Sequence, residues 1–284
     1  MGNCLRPPSL DPEQLPTLGG GIARLTEESP ATEVAEVRAM LARSFAGSKG
    51  TRPEGALSWA SHAGDEGSVD RETPGDYCSP LTGEPTKVAL TTISWVIGFT
   101  LEFRRHGGVF TLRDDAGNIV AACVLLAPND KNLHEPGGFE MMAMSLKVGN
   151  DMGAVSSKRM GALGKTMAAA HKAHGEGSLY VNVFATAVGE QGKGYGKRLL
   201  AHVAAWADHL GCAAYLETSG DVNPNFYAKC GFAIAETYAV KCGADSFKRF
   251  HAMVRPPTAG GAAAPPSGAA SGGLSAKVAP TVES

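Results

Sequence analysis

Charge is scarce in this chain of 284 residues: Asp, Glu, Lys and Arg supply 19% of it, and aromatic residues 7%. Neither sign of charge dominates, with 26 basic against 28 acidic side chains and a net charge of −2. Nucleic-acid binders carry a clustered basic excess, so no nucleic-acid partner is expected. The six cysteines (Cys4, Cys78, Cys123, Cys212, Cys230 and Cys242) contain no C-x-x-C pair and no Cys/His spacing of a zinc site. They are too few and too dispersed for a disulfide framework, which predicts reduced thiols in a cytoplasmic protein. The longest apolar stretch without a charge, Val88 to Leu101, has 14 residues, short of the roughly 18 that a membrane-spanning helix needs. No secretory h-region opens the sequence.

Hydrophobic residues, at 43%, suffice for a core, and glycine and proline are abundant, 36 and 17. The surplus gathers in poorly structured stretches. Segment 256–284 has 22 Gly, Ala, Pro or Ser among its 29 residues, too little apolar area to offset its ordering entropy. It is expected to be a disordered tail. In 46–87, Gly, Pro, Ser and acids make up 23 of 42 residues, which predicts a mobile insertion, a lid in the functional case. Segment 1–24 is expected to be a flexible N-terminus. Its start, Met1-Gly2-Asn3-Cys4-Leu5-Arg6, exposes Gly2 for myristoylation with Cys4 beside it for palmitoylation, although Arg6 stands where Ser or Thr is usual. Two acyl chains would anchor the chain to a membrane where one would not. The alternative is an ordinary start with glycine second. One domain, 25–255, remains.

Within that domain apolar periodicity predicts a helix over Glu33 to Phe45, and the apolar run from Val88 to Phe103 reads as a buried helix or strand. Val109 to Leu112 and Ile119 to Leu126 flank an Asp/Gly/Asn turn and read as a hairpin. Phe139 to Val148 reads as a strand and Ser157 to His174 as a helix. Leu179 to Ala187 reads as a strand, and Gly194 to Leu210 as a helix ended by Gly211. A strand at Ala213–Glu217, a short helix at Pro224–Cys230 and strands at Phe232–Val240 and Phe247–Val254 complete a mixed α/β domain.

The chemical signal is Gln191-Gly192-Lys193-Gly194-Tyr195-Gly196-Lys197-Arg198, between a strand and a helix. Glycines let a backbone approach a ligand with positive φ, and a helix start directs free N–H groups at an anion. Lys193, Lys197 and Arg198 are disfavoured by the helix dipole unless an anion is bound. A Walker loop fails on spacing, since Gly192 lies four residues before Gly196 and Arg198 replaces the magnesium-binding Ser or Thr. A Rossmann G-x-G-x-x-G fails because Lys197 occupies the third glycine position. His171 and His174 have helical spacing that suits a metal, but no third ligand accompanies them, and they read as the end of a helix.

Gln191, Gly194 and Gly196 fill the pattern [QR]-x-x-G-x-[GA], and Asn223-Pro224-Asn225-Phe226-Tyr227 followed by Gly231-Phe232 fills N-x-x-F-Y-x-x-x-G-F. With Tyr180 on the preceding strand and Leu216-Glu217-Thr218-Ser219 between the motifs, residues 178–235 resemble the GNAT superfamily of N-acetyltransferases, in the branch that includes puromycin N-acetyltransferase. Ser178, Val188 and the polar end Ala185-Thr186-Ala187 depart from that branch.

The resemblance implies a largely antiparallel central sheet flanked by helices, with a V-shaped cleft for acetyl-CoA. It implies acetyl-CoA as co-substrate without a metal, and direct acetyl transfer to the amine of a small molecule by a monomer or homodimer. Cofactor binding falls to the edge Phe184, Ala185 and Thr186, to Gln191, Gly192, Lys193, Gly194, Tyr195, Gly196 and Lys197, and to Asn223. Tyr227 would be the acid that protonates the leaving thiolate. For the base, Glu217 is the first candidate, with Glu140, His134 or a water chain behind it. Two alternatives remain: a protein acetyltransferase for lysines or N-termini, and a non-enzymatic acyl-CoA-binding interaction module.

Overall fold

The computed structural model describes residues 20–46, 60, 93–94, 96–98, 100–101, 108–128, 138–243 and 245–258, and only the backbone of 138–153 and 245. Gly2 and Cys4, most of the insertion 46–87, the tail beyond 258 and His134 lie outside the described residues, as does the Glu140 side chain.

The strands are β1 (Ile22–Leu25), β2 (Val109–Arg113), β3 (Ile119–Leu126), β4 (Leu179–Thr186), β5 (Ala214–Ser219), β6 (Ala233–Cys242) and β7 (Asp245–Arg255). They form one sheet in the order β1-β2-β3-β4-β5-β7-β6. Every neighbouring pair is antiparallel except β4 with β5. The helices are α1 (Ala31–Ala46), α2 (Gly138–Ala170), α3 (Tyr195–His209) and α4 (Val222–Ala228), and a π-helical turn (His171–Gly175) extends α2. No helix among the described residues is long and apolar enough to cross a membrane.

Two expectations are corrected. Phe139 to Val148 belongs to helix α2, not to a strand. Its residues are mainly strong helix formers (Glu, Met, Ala, Leu, Lys), with Val148 the single β-branched one. The N-terminal arm ends earlier than expected, because Ile22 to Arg24 already pair with β2. Four residues between a glycine turn and a helix show too little alternation to be read as a strand.

The core lies on both faces of the sheet. On one face α3 buries Leu199, Leu200, Val203 and Trp206 against Phe110, Leu112, Cys123 and Leu216. Trp206 is 1% exposed and its ring centroid lies 4.4 Å from that of Phe110. Gly211, at φ +67°, ends α3 by donating to the Asp208 carbonyl, while the Cys212 N–H reaches Ala207, the pairing of a Schellman stop. On the other face α1 packs Val37 and Leu41 against Val109, Val124 and Val183. Ile93, Ile97 and Leu101, spaced four apart, join that layer as buried residues, and Arg38 Nε donates to the Ser94 carbonyl at 2.8 Å. The end of α2 and its π turn cover the remainder, over Tyr180, Tyr215 and Ala252.

Candidate active site

Strands β4 and β5 pair at only three positions, Leu179↔Ala214, Tyr180↔Tyr215 and Val181↔Leu216. The register of β3 against β4 then shifts, passing from Leu125↔Val181 to Val124↔Val183. Asn182 is therefore an extra residue that bends β4 away from β5, as bulges do. β4 continues to Thr186 and β5 to Ser219. Beyond the last rung, no described strand pairs with either facing edge. A cleft opens there between two strand ends.

The loop after β4 sits at the mouth of this cleft. Gly189, Gly192 and Gly194 have φ of +86°, +81° and +90°, and a Cβ on any of them would meet nothing within 4 Å. Here glycine serves conformation, leaving a backbone loop that faces open space. Gly194 precedes α3 without a side-chain cap, so the helix start keeps the anion preference of uncapped N–H groups. Gly196 serves space instead. A Cβ there would lie 2.8 Å from Thr186 Oγ1 and 3.3 Å from Phe226 Cζ. Helix α3 is thereby seated directly on the end of β4.

The cations of the loop differ from one another. Lys193 Nζ is held by Glu190 at 2.9 and 3.0 Å, a contact that raises its pKa. The Arg198 guanidinium turns away to the Gly20 carbonyl. Lys197, Gln191 and Lys193 are exposed, and Tyr195 packs partly against the core.

Helix α4 carries Asn223 and Tyr227 and runs beside Phe184. The Phe226 ring stacks on Phe184 at 6.2 Å, and Tyr227 meets Phe184, Phe226 and Phe232 edge-on at 6.2, 5.2 and 6.0 Å. Tyr227 is 9% exposed. These rings tie α4 to the β4 edge and, through Phe226, to the start of α3. Asn223 is half-buried in the first turn of α4.

Glu217 stands one residue beyond the last β4–β5 rung. Tyr180 on β4 donates its hydroxyl to Glu217 Oε2 at 2.6 Å, and Tyr215 on β5 donates to Oε1 at 2.8 Å. Burial pushes the carboxyl up to about 7, against the two hydroxyl bonds, which hold it down. Burial also raises the pKa of both tyrosines, so they remain neutral donors. The His171 ring lies on this pair, 4.7 Å from Tyr180 and 5.3 Å from Tyr215, and burial lowers its pKa. His174 instead pairs with Glu236 at 2.8 Å. No group of three metal-ligating side chains occurs among the described residues.

The fold gathers Phe184, Thr186, Gly196 and Tyr227 in direct contact and sets Glu217 at the root of the same cleft. Sequence reasoning missed Tyr215 and the part played by His171. Tyr215 had a readable signal: two residues before Glu217 on one strand, it shares a face with it.

The GNAT acetyltransferase family model matches residues 83–232, more than half of the chain. This protein belongs to the GNAT family, and it is an acyltransferase. Enzymes of this family use acetyl-CoA as co-substrate. No curated protein matches the chain. Among solved structures it is similar to a histone acetyltransferase HPA2 and related acetyltransferase from Corynebacterium glutamicum, at 16% identity and TM-score 0.50, over 85% of this chain and 98% of that one. This likeness shows the fold. An arylalkylamine N-acetyltransferase 2 from Aedes aegypti matches at 12% identity and TM-score 0.49, over 84% of this chain and 99% of that one. A polyamine N-acetyltransferase from Drosophila melanogaster matches at 17% identity and TM-score 0.46, over 82% and 97%.

Proposed function

We propose that the protein transfers acetyl from acetyl-CoA to the amine of a small molecule, with Glu217 as base and Tyr227 as acid. The observation that carries this reading is the Glu217 carboxylate, partly buried beside a splayed strand edge and with a pKa near that of a working base at neutral pH. A carboxylate so enclosed is reached by a slim amine. The preference for a small molecule over a protein substrate rests on the resemblance to the puromycin N-acetyltransferase branch.

The cradle fits the cofactor. Its open, positive-φ glycines and uncapped helix start suit a pyrophosphate, and the edge Phe184–Ala185–Thr186 offers backbone partners to an extended arm. Gln191, Gly192, Lys193, Gly194, Tyr195, Gly196 and Lys197 would hold the phosphates, and Asn223 the arm. When bound, acetyl-CoA supplies an acetyl group on a thioester and a thiolate leaving group. Glu217 accepts the proton of the ammonium, so that the nitrogen lone pair can attack. As the C–N bond forms and the C–S bond breaks, Tyr227 delivers a proton to sulfur. The second proton leaving the nitrogen restores the Tyr227 hydroxyl, and Glu217 gives up its proton to solvent as neutral amide and free thiol depart. An N–H of the β4 edge stabilises the developing negative charge on oxygen, a preorganised donor of the kind worth a few kcal/mol.

The test is thiol release from acetyl-CoA across a panel of amines (an arylalkylamine, a polyamine and a lysine peptide), with Glu217→Gln and Tyr227→Phe as controls. Turnover of a small amine that both substitutions reduce supports the reading. Turnover of the peptide alone would move the protein to the protein acetyltransferases.

A further inference from the structure

We propose that Tyr180 and Tyr215 are positioning residues that clamp the Glu217 carboxylate in its ionised form, with the His171 ring bracing both. The proposal rests on the reading of Glu217 as the base and gives that site its control.

The geometry starts with register. Tyr180 and Tyr215 face one another on adjacent parallel strands, the last rung but one before the strands part, with ring centroids 5.4 Å apart. Two residues after Tyr215 on the same face, Glu217 falls between the two hydroxyls. Each carboxylate oxygen takes one of them, Oε2 at 2.6 Å and Oε1 at 2.8 Å. Rotating the carboxylate breaks both bonds at once, so its plane is fixed. The two hydroxyls and the Glu217 backbone N–H do not exhaust the lone pairs of the carboxylate, which keeps the valence a base needs. Both donors are hydroxyls whose own ionisation is pushed upward, so they favour the charged carboxylate.

The rings are themselves held. Gly175, in the π turn, lies so close that a Cβ would fall 2.6 Å from His171 Cδ2 and 2.6 Å from Tyr215 Cδ1. A side chain there would displace the brace. Among the described residues the titratable groups around Glu217 are Tyr180 from β4, Tyr215 on β5 itself and Tyr238 from β6, and the His171 ring of the π turn faces the two tyrosines with Glu176 as its charged neighbour. Strand β7 presents Ala252 opposite Glu217. Tyr238 is a built-in control, since its hydroxyl donates to Glu236 at 2.9 Å and not to Glu217.

A tyrosine that merely filled space would lower stability when changed to Phe and leave the Glu217 titration alone. A clamp predicts a direction: removing a donor to the charged form raises the pKa, by about one unit for each hydroxyl.

The experiment is a carbon-13 NMR titration of the full chain labelled at glutamate Cδ. The Glu217 signal is assigned by its loss in Glu217→Gln. Tyr180→Phe and Tyr215→Phe should each move the Glu217 midpoint upward, and Tyr238→Phe should leave it in place. In parallel, the acid limb of acetyl transfer to phenethylamine should move up by the same amount in the first two variants, with the high-pH plateau retained. An unmoved midpoint in Tyr180→Phe and Tyr215→Phe overturns the clamp, whatever the rates do. A moved midpoint with an unmoved rate profile upholds the clamp and overturns Glu217 as the base.

Discussion

The Tyr180 hydroxyl on β4 donates to Glu217 Oε2 on β5 at 2.6 Å, bridging the two strands at the rung where they separate. The bond joins a backbone fact to a chemical one. The bulge at Asn182 opens the cleft, and the side chains on either side of the last rung set a carboxylate at its root.

Glu217→Gln removes the proposed base without changing shape. The expected loss is about 10²-fold or more in kcat at neutral pH, with acetyl-CoA affinity unchanged. In the wild type the rate should rise with pH through about 7 as the carboxylate ionises, and that limb should vanish in the variant. A pH–rate profile of both proteins checks this.

The same carboxyl predicts a stability effect with a definite sign. Its pKa is raised in the folded state, from 4.5 to about 7, so the folded protein holds the proton more tightly than the unfolded chain. Stability therefore declines as pH rises from about 4.5 to about 7, by on the order of 3 kcal/mol for the full shift. Glu217→Gln should melt near the wild type at low pH and above it at pH 8 or so. Thermal melts across pH would decide it.

Tyr227→Phe keeps the ring contacts with Phe184, Phe226 and Phe232 and removes the proposed acid. The expected result is a fall in kcat of about 10²-fold, of the size general acids supply, with an unshifted KM for acetyl-CoA. Steady-state kinetics and a melting curve separate this from a packing defect.

Much of this arrangement was legible in the sequence. The hairpin β2–β3 was marked by its Asp/Gly/Asn turn, and α3 by Leu199, Val203, Trp206 and Leu210 at helical spacing. The glycine loop and the Phe226–Tyr227 run stood out by their motifs, and the fold sets them beside the end of β4. Two features were not legible. The strand β1 is too short to show a period, and the helical start of α2 carries an apolar run that suits either element. The clamp on Glu217 was hidden for a different reason: it depends on the β4–β5 register, which pairs Tyr180 with Tyr215 across 35 residues of sequence.

Gly196→Ala tests the seating of α3. The added methyl would meet Thr186 Oγ1 at 2.8 Å and Phe226 at 3.3 Å, and overpacking of this kind costs about 1–3 kcal/mol. Because the same contacts align the helix start with the β4 edge, acetyl-CoA affinity should fall together with melting temperature. Gly192→Ala, with open space around its Cβ, should show backbone strain without that clash and a smaller loss of stability.

The most direct measurement is calorimetric titration of acetyl-CoA into the full chain and into Gly194→Glu. The substitution places a negative side chain at φ +90°, in the open space before α3. Micromolar binding to the wild type that is lost in Gly194→Glu, with the fold intact by circular dichroism, is the predicted result. Equal binding by both proteins would mean that the phosphates lie elsewhere and would contradict the site described.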